Sequence, residues 1–390
     1  EARRRCVSVY LPNRAISMLP AQLSSEICSL NPEVDRLAMV ARLDLDADGQ
    51  VFAAQLSAAV IRSRARLDYA GVAAALSGEL RGARAKYKPF LPSLRRMQAL
   101  AERMRTLRLS RGALDFDLPE AMVILDEDDP RRVRDVKRSR ALPEVRAAYR
   151  LVEEFMLAAN EAVARYFIEH DLDTMWRVHA PPTPQRLAEL ATLIRSYGLQ
   201  IDEKKMRTPR ELRDFLARIA GSKMERALSY LLLRSLKQAV YDVENIGHFG
   251  LAAPAYLHFT SPIRRYPDLI VHRLLKQKLR RDGQPAGGGA LGPVPSRSAL
   301  TEESQSCSAL ERRAMEAERE VVDMYRTFLM RDRVGDEFSG TISGVTSFGV
   351  FVEIAEPFIE GLIKAEKLGP ERFVYDERAM RLVGERSGRA

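Results

Sequence analysis

Residues 248–272 restrict the fold of this chain more than any other stretch. They read His248-Phe249-Gly250-Leu251, four small or apolar residues, then Tyr256-Leu257-His258-Phe259-Thr260-Ser261-Pro262-Ile263-Arg264-Arg265-Tyr266-Pro267-Asp268, and His272. Pro262 holds Ser261 in extended geometry, so Thr260-Ser261-Pro262 closes an extended or turn segment. Just beyond it, Leu269, Ile270, Val271, Leu274 and Leu275 fall at helical spacing, with Arg264, Arg265 and Arg273 interleaved. A helix is therefore expected immediately after a polar turn, with arginines at its entrance. Two readings fit such a junction. In one, backbone N–H groups and guanidinium forks grip a phosphate. In the other, the arginines form a solvated, salt-bridged face.

Glu1–Arg5 reads as the end of a charged helix already under way, so the chain is expected to begin in mid-domain. Cys6–Tyr10 is a short apolar strand, ended by the turn residues Leu11-Pro12-Asn13. Leu37, Met39, Ala41, Leu43 and Leu45 then alternate with mostly polar residues, Asp46–Gly49 turns, and Val51–Arg64 returns. That pattern is a β-hairpin. Leu94, Met97, Leu100, Met104 and Leu107 form one helical stripe, with Arg95, Arg96, Arg103, Arg105 and Arg108 on the other faces. Leu114–Leu118 and Ala121–Leu125 carry strand signals, and from Pro143 the chain turns helical. Leu151, Val152, Phe155, Met156 and Ala159 mark a long core helix that also holds Glu153 and Asn160. A glutamate in that stripe sits at its edge or is buried and paired.

Thr208-Pro209-Arg210-Glu211 is a capping box with proline at the first helical position, and Ser222-Lys223-Met224-Glu225 repeats the device. Residues 282–299, rich in Gly and Pro, form a surface loop before a long helix over Thr301–Met330. After residue 334 the character changes: Phe338–Gly344, Gly349–Ile354 and Gly361–Lys364 are short strands between Gly-containing turns. The class is α+β.

Composition and spacing exclude several chemistries. A net charge of +9 points to a polyanionic partner or to an arginine-rich surface. Cys6, Cys28 and Cys307 are odd in number and widely spaced, which disfavours a disulfide framework or zinc site and fits a reducing cytoplasm. No apolar run approaches ~18 residues, so no membrane span is expected. Asp44, Asp46, Asp48 and Gly49 copy the opening of a calcium loop, but its twelfth position is Gln55, so hairpin chemistry is the better reading. Asp126, Asp128 and Asp129 before Pro130 read as an exposed turn. The five histidines lack metal-ligand spacing, and no phosphate-binding glycine loop occurs.

From His248 to His272 the string resembles the signature of the ribonuclease II / ribonuclease R (RNB) family of processive 3′-to-5′ exoribonucleases. The resemblance covers nearly the whole chain. It implies an RNB catalytic domain over 1–331, a mixed sheet surrounded by helices. Over 334–390 it implies a partial OB-fold of the ribosomal-protein S-one type, carried by Ser347-Phe348-Gly349-Val350-Phe351-Val352. Lys364 stands where that module often has histidine, and the chain is expected to stop before the barrel's closing strands, leaving an open edge.

The resemblance also implies site residues. Arg264 matches the arginine that contacts phosphate at the cleavage site, and Glu318 falls near an active-site acid. Tyr10 and Phe116 match aromatics at the two ends of a base stack, while Tyr69, Glu153, Asn160 and Arg265 match the RNA path. Phe348 and Phe351 would stack bases for ~1–3 kcal/mol each. From the residues alone, core packing is the better reading of Tyr10, Phe116, Phe348 and Phe351. The implied reaction hydrolyses single-stranded RNA to nucleoside 5′-monophosphates with magnesium, carried out by a monomer. Its metal-holding aspartates would come from a D-x5-D-x-D-D-type stretch that this chain lacks, so metal ligands are expected to be none. The rival is a non-catalytic RNA-binding protein of the same fold, and a DNA-directed basic enzyme is a third reading.

Overall fold

The computed structural model describes all residues but 80, 117–119, 140–141, 197, 203–205, 223, 377–380 and 390, and omits the side chains at 82–84 and 196. A short helix α1 (Ala2–Arg5) leads into the tight hairpin β1 (Val9–Leu11) and β2 (Arg14–Ile16). The alternating stretch forms the long antiparallel ribbon β3 (Asp35–Leu45) and β4 (Val51–Arg62), with Leu43 opposite Ala54 and Leu37 opposite Val60. Its turn is the hairpin that Asp-Gly chemistry requires. Asp46 Oδ1 accepts from the Asp48 and Gln50 N–H groups, both at 2.9 Å, and Gly49 sits at φ +87°. A Cβ on Gly49 would lie 3.2 Å from the Met104 nitrogen, so the ribbon tip rests directly on a helix.

Helices α2 (Tyr69–Leu76), α3 (Leu91–Arg111) and α4 (Pro143–Glu169) pack together, with the hairpin β5 (Ala121–Leu125) and β6 (Val133–Arg138) between α3 and α4 in sequence. The strand expected over 114–118 does not form over 114–116, and 117–118 lie outside the described residues. Strand β7 (Trp176–Val178) pairs with β8 (Val240–Asp242) across a helical layer of α5 (Pro184–Ser196), α6 (Pro209–Ile219) and α7 (Glu225–Ser235). The layer closes on Leu187, Ile194, Leu212, Phe215, Leu228 and Leu232, all buried. Full burial of such side chains contributes ~1.5–3 kcal/mol each.

The capping box at α6 is complete: Glu211 N–H donates to Thr208 Oγ1 at 3.3 Å, and Thr208 N–H to Glu211 Oε2 at 2.9 Å. The expected second box is not made. Helix α7 starts after Met224, without a side-chain cap, and Glu225 Oε2 instead accepts from Gly221 N–H at 2.6 Å. Lys223 lies outside the described residues.

Helix α8 (Tyr266–Arg281) and the 35-residue α9 (Arg297–Arg331), ~52 Å long at ~1.5 Å per residue, complete the body. They share one core with α4, β7 and the 255–259 segment, where Phe167, Leu257, Val271, Leu275, Leu300 and Cys6 are buried. The strands pair as antiparallel ribbons, joined by isolated bridges of which two are parallel. Among the described residues no helix is long and apolar enough to cross a membrane.

Beyond α9, β9 (Gly340–Thr346), β10 (Gly349–Ile354) and β11 (Ile359–Lys364) form a three-stranded antiparallel sheet in the order β11-β10-β9. The chain does not stop there: β12 (Phe373–Asp376) and β13 (Arg381–Gly384) add a further hairpin. They pair with each other rather than with the three-stranded sheet. The module therefore has more strands than expected, and among the described residues strand pairing does not close a barrel.

Candidate functional site

The junction at 260–268 is built on one buried acid. Asp268, with no exposed surface, accepts from Ser261 N–H at 2.7 Å and from both arms of Arg265, Nε at 2.8 Å and Nη2 at 2.9 Å. Arg265, expected on the RNA path, gives its Nε and Nη2 to Asp268 and so braces the start of α8. Arg264 is exposed, and its side chain has no hydrogen-bond or ion-pair partner among the described residues. Its backbone is fixed at both ends. Its N–H donates to Ser261 O at 3.2 Å, and its carbonyl accepts from Ser8 N–H at 3.0 Å. Tyr266 N–H donates to Cys6 O at 2.7 Å.

That pairing joins the first strand to residues more than 250 positions away, and α9 closes the group. Tyr10 N–H donates to Glu318 Oε1 at 2.6 Å, while the Tyr10 side chain is 54% exposed. Tyr10, Arg264 and Glu318 thus converge on one junction. An exposed ring is a surface on which a base can stack, an exposed guanidinium can meet a phosphate, and the half-buried carboxylate holds the backbone of the strand that bears the ring.

Asn160, expected on the RNA path, lies buried beside the 256–260 segment. It is 2% exposed, its Oδ1 accepts from Phe259 N–H at 2.9 Å and Thr260 N–H at 3.2 Å, and its Nδ2 donates to the Tyr256 hydroxyl at 2.8 Å. Its Oδ1 and one amide hydrogen are engaged within the protein, so it latches α4 to the 256–260 segment. Burial pushes the Tyr256 hydroxyl up to about 12, so it stays neutral as the Asn160 partner.

Glu153 is exposed, and its neighbour Glu154 is the buried acid, 2% exposed and bidentate to Arg108 at 2.6–3.2 Å. Tyr69 opens α2 and stacks on Tyr149 at 3.7 Å between centroids, 20° between planes. Phe116 is half-buried against the helical layer. Two residues before it, Leu114 N–H donates to Gly250 O at 2.8 Å, which ties the Phe116 segment to the 248–251 turn. Phe348, 55% exposed, meets Phe351 edge-on at 6.2 Å on the terminal module.

The histidines of this region are structural. His179 Nδ1 accepts from Gly250 N–H at 3.0 Å and His248 Nδ1 from Leu251 N–H at 3.2 Å. Burial, then the charges of His179 and Arg177, pull His248 down to about 3. Burial likewise lowers His179, His258 and His272. All four are held neutral at physiological pH.

Among the described residues no group of three or more His, Cys, Asp or Glu side chains converges as a metal site. Asp46 and Asp126 are spent on turn amides, Asp129 on Arg131 and Asp268 on Arg265. The described acids do not fit the magnesium that the resemblance implies.

The fold agrees with comparisons to known proteins. The RNB domain family matches residues 1–281. The chain belongs to the RNB family. The S1 RNA binding domain matches residues 331–385. Ribonuclease R of Aquifex aeolicus is 38% identical over 390 residues, covering 100% of the chain and 53% of that protein. Ribonuclease R 1 of Lactococcus lactis is 40% identical, covering 100% of the chain and 46% of that protein. The chain thus spans about half the length of these relatives. The structure of Mycoplasma genitalium RNase R in complex with ribose methylated single-stranded RNA superposes with a TM-score of 0.88 at 28% identity, covering 100% of this chain and 59% of that one.

Proposed function

We propose that this chain grips the 3′ end of a single RNA strand as the substrate-holding part of a ribonuclease R-like monomeric exoribonuclease. The enzyme removes nucleotides processively in the 3′-to-5′ direction as nucleoside 5′-monophosphates, in the cytoplasm. Residues 1–331 belong to its RNB domain, without that domain's N-terminal part, and 334–390 to a partial OB module; magnesium is the expected cofactor, with aspartate ligands that are not in this chain. One observation carries this reading: the Ser8–Arg264 and Tyr10–Glu318 hydrogen bonds gather residues 10, 264 and 318 on one junction. Tyr10 stacks on the terminal base, Arg264 neutralises the adjoining phosphate, and Glu318 fixes the backbone that aims the ring. Stacking is sequence-tolerant, because every base has a π-face.

The test is binding of 3′-hydroxyl oligo(A) RNA against DNA of the same sequence by the 390-residue chain. RNA is expected to bind more tightly, through contacts to its 2′-hydroxyls. Equal binding of the two, unchanged by Arg264→Ala, overturns the assignment. The rival reading is a non-catalytic RNA-binding protein of the same fold. Chromatography after incubating the full-length protein with RNA and magnesium separates the two: released mononucleotide supports the enzyme, and none supports the binding protein. The chain alone is expected to release little or no mononucleotide.

A further inference from the structure

The OB module is fastened to the body at one corner. Ile359 at the start of β11 is buried with Val136 of β6 and Leu329 of α9. Phe358 N–H donates to Val136 O at 2.7 Å. Phe358 itself is 4% exposed, and two guanidinium groups face its ring: Arg138 of β6 at 5.2 Å and Arg226 of α7 at 6.0 Å. Arg226 pairs with Glu353 of β10, whose side chain is 10% exposed. Residues 136–138, 226 and 329, from three separate parts of the body, thus meet one edge of the module.

The charges make this corner specific. Two guanidinium groups around one ring attract its face but repel each other. Burial and the nearby Arg138 hold Arg226 below the usual arginine range. Glu353 supplies the compensating charge, and with Arg226 reversed it would face a like charge at a partly buried position.

We propose that Arg226, Glu353 and Phe358 form a latch that fixes the OB module on the body, so that one RNA strand engages Phe348 and Phe351 together with the Tyr10–Arg264–Glu318 junction. This rests on the RNA reading above. Along α9, Leu329 follows Glu318 by eleven residues, ~16 Å at ~1.5 Å each. Fixed attachment makes the second contact intramolecular, at high effective concentration, and a loosened module loses that advantage. A strand too short to reach both sites gains nothing from the latch. These three are positioning residues.

The experiment uses the 390-residue chain with Cys28→Ser and spin labels on cysteines introduced by Ser93→Cys and Lys367→Cys, both at exposed positions. The parent is expected to give one narrow inter-label distance, Arg226→Glu a broad distribution, and the charge swap Arg226→Glu/Glu353→Arg a narrow one again. Phe358→Ala is the second variant, expected to broaden the distances as well, and thermal unfolding by circular dichroism checks that each variant folds. In parallel, affinity is measured for oligo(A) of about 4 and about 24 nucleotides, chosen to occupy one site or both. Arg226→Glu is expected to weaken the long strand by about tenfold or more and leave the short one unchanged, with recovery in the swap. Distances that stay narrow in Arg226→Glu and Phe358→Ala overturn the latch. Broad distances with an intact long-strand advantage overturn the joint engagement. If the parent binds neither strand, the RNA reading fails, and the distances alone judge the latch.

Discussion

Asp268→Asn tests the core of the site most directly. The carboxylate has no exposed surface and holds the Arg265 fork through two hydrogen bonds while accepting from Ser261 N–H. Asparagine keeps the shape and still serves Ser261, but it removes the charge opposite a guanidinium whose side chain is 14% exposed. Breaking a buried pair from one side costs ~3–5 kcal/mol, because the remaining charge stays desolvated. The retained Ser261 bond places this variant near ~3 kcal/mol, a substantial share of a total stability of ~5–15 kcal/mol. Urea unfolding followed by circular dichroism reads the loss as a lower midpoint with an unchanged slope. The apolar pair Arg265→Met/Asp268→Leu should recover part of it, since no charge is left buried. A loss below ~1 kcal/mol in Asp268→Asn would refute the argument that this pair is desolvated and bears on the helix start.

Other perturbations separate structural from RNA-facing residues. Asn160→Ala leaves two backbone N–H groups and the Tyr256 hydroxyl unpartnered, so unfolding should show a loss of ~3 kcal/mol or more; a change within ~0.5 kcal/mol contradicts the latch role. Tyr10→Ala should weaken oligo(A) binding by ~1–3 kcal/mol with stability unchanged. Arg264→Ala should lower the slope of log affinity against log salt by about one, and an unaltered slope means that this guanidinium meets no phosphate. Stability should also fall in acid. The fold keeps His248 neutral down to about 3, against 6.5 ordinarily, so unfolding takes up a proton between those values. Stability then decreases as pH drops through 6.5 toward 3, by up to ~1.4 kcal/mol per pH unit for each such histidine. Urea midpoints independent of pH from 7 to 4.5 would contradict this.

Periodicity and capping chemistry made much of the fold legible. The β3–β4 ribbon and the Thr208–Glu211 box are specified by residues within a few positions of one another. Arg265 and Arg264 are adjacent and chemically identical, and only the placement of Asp268 in three dimensions gives one to the core and leaves the other exposed. Asn160 has partners 96–100 residues away, which no local pattern reports. Glu153 and Glu154 stand in the same stripe, and Arg108, on a helix 46 positions earlier, determines which is buried. The resemblance supplied Tyr10, Arg264 and Glu318 as a set; their convergence depends on strand pairing across the whole body. The β12–β13 hairpin went unread because its strands are only four residues each and lack sustained alternation.

Helix α9 links all of this by phase as well as by length. Each residue along an α-helix turns the next by ~100°. Cys307 in the core, Glu318 at the Tyr10 backbone and Leu329 beneath the OB module lie on one uninterrupted helix. Adding or removing a single residue between Glu318 and Leu329 would rotate the module's anchor by more than a quarter turn about the helix axis. The loops on either side tolerate changes of length, whereas this segment transmits them as torsion. The helix therefore acts as a keyed shaft, allowing one angular setting between the Tyr10–Arg264–Glu318 junction and the OB module.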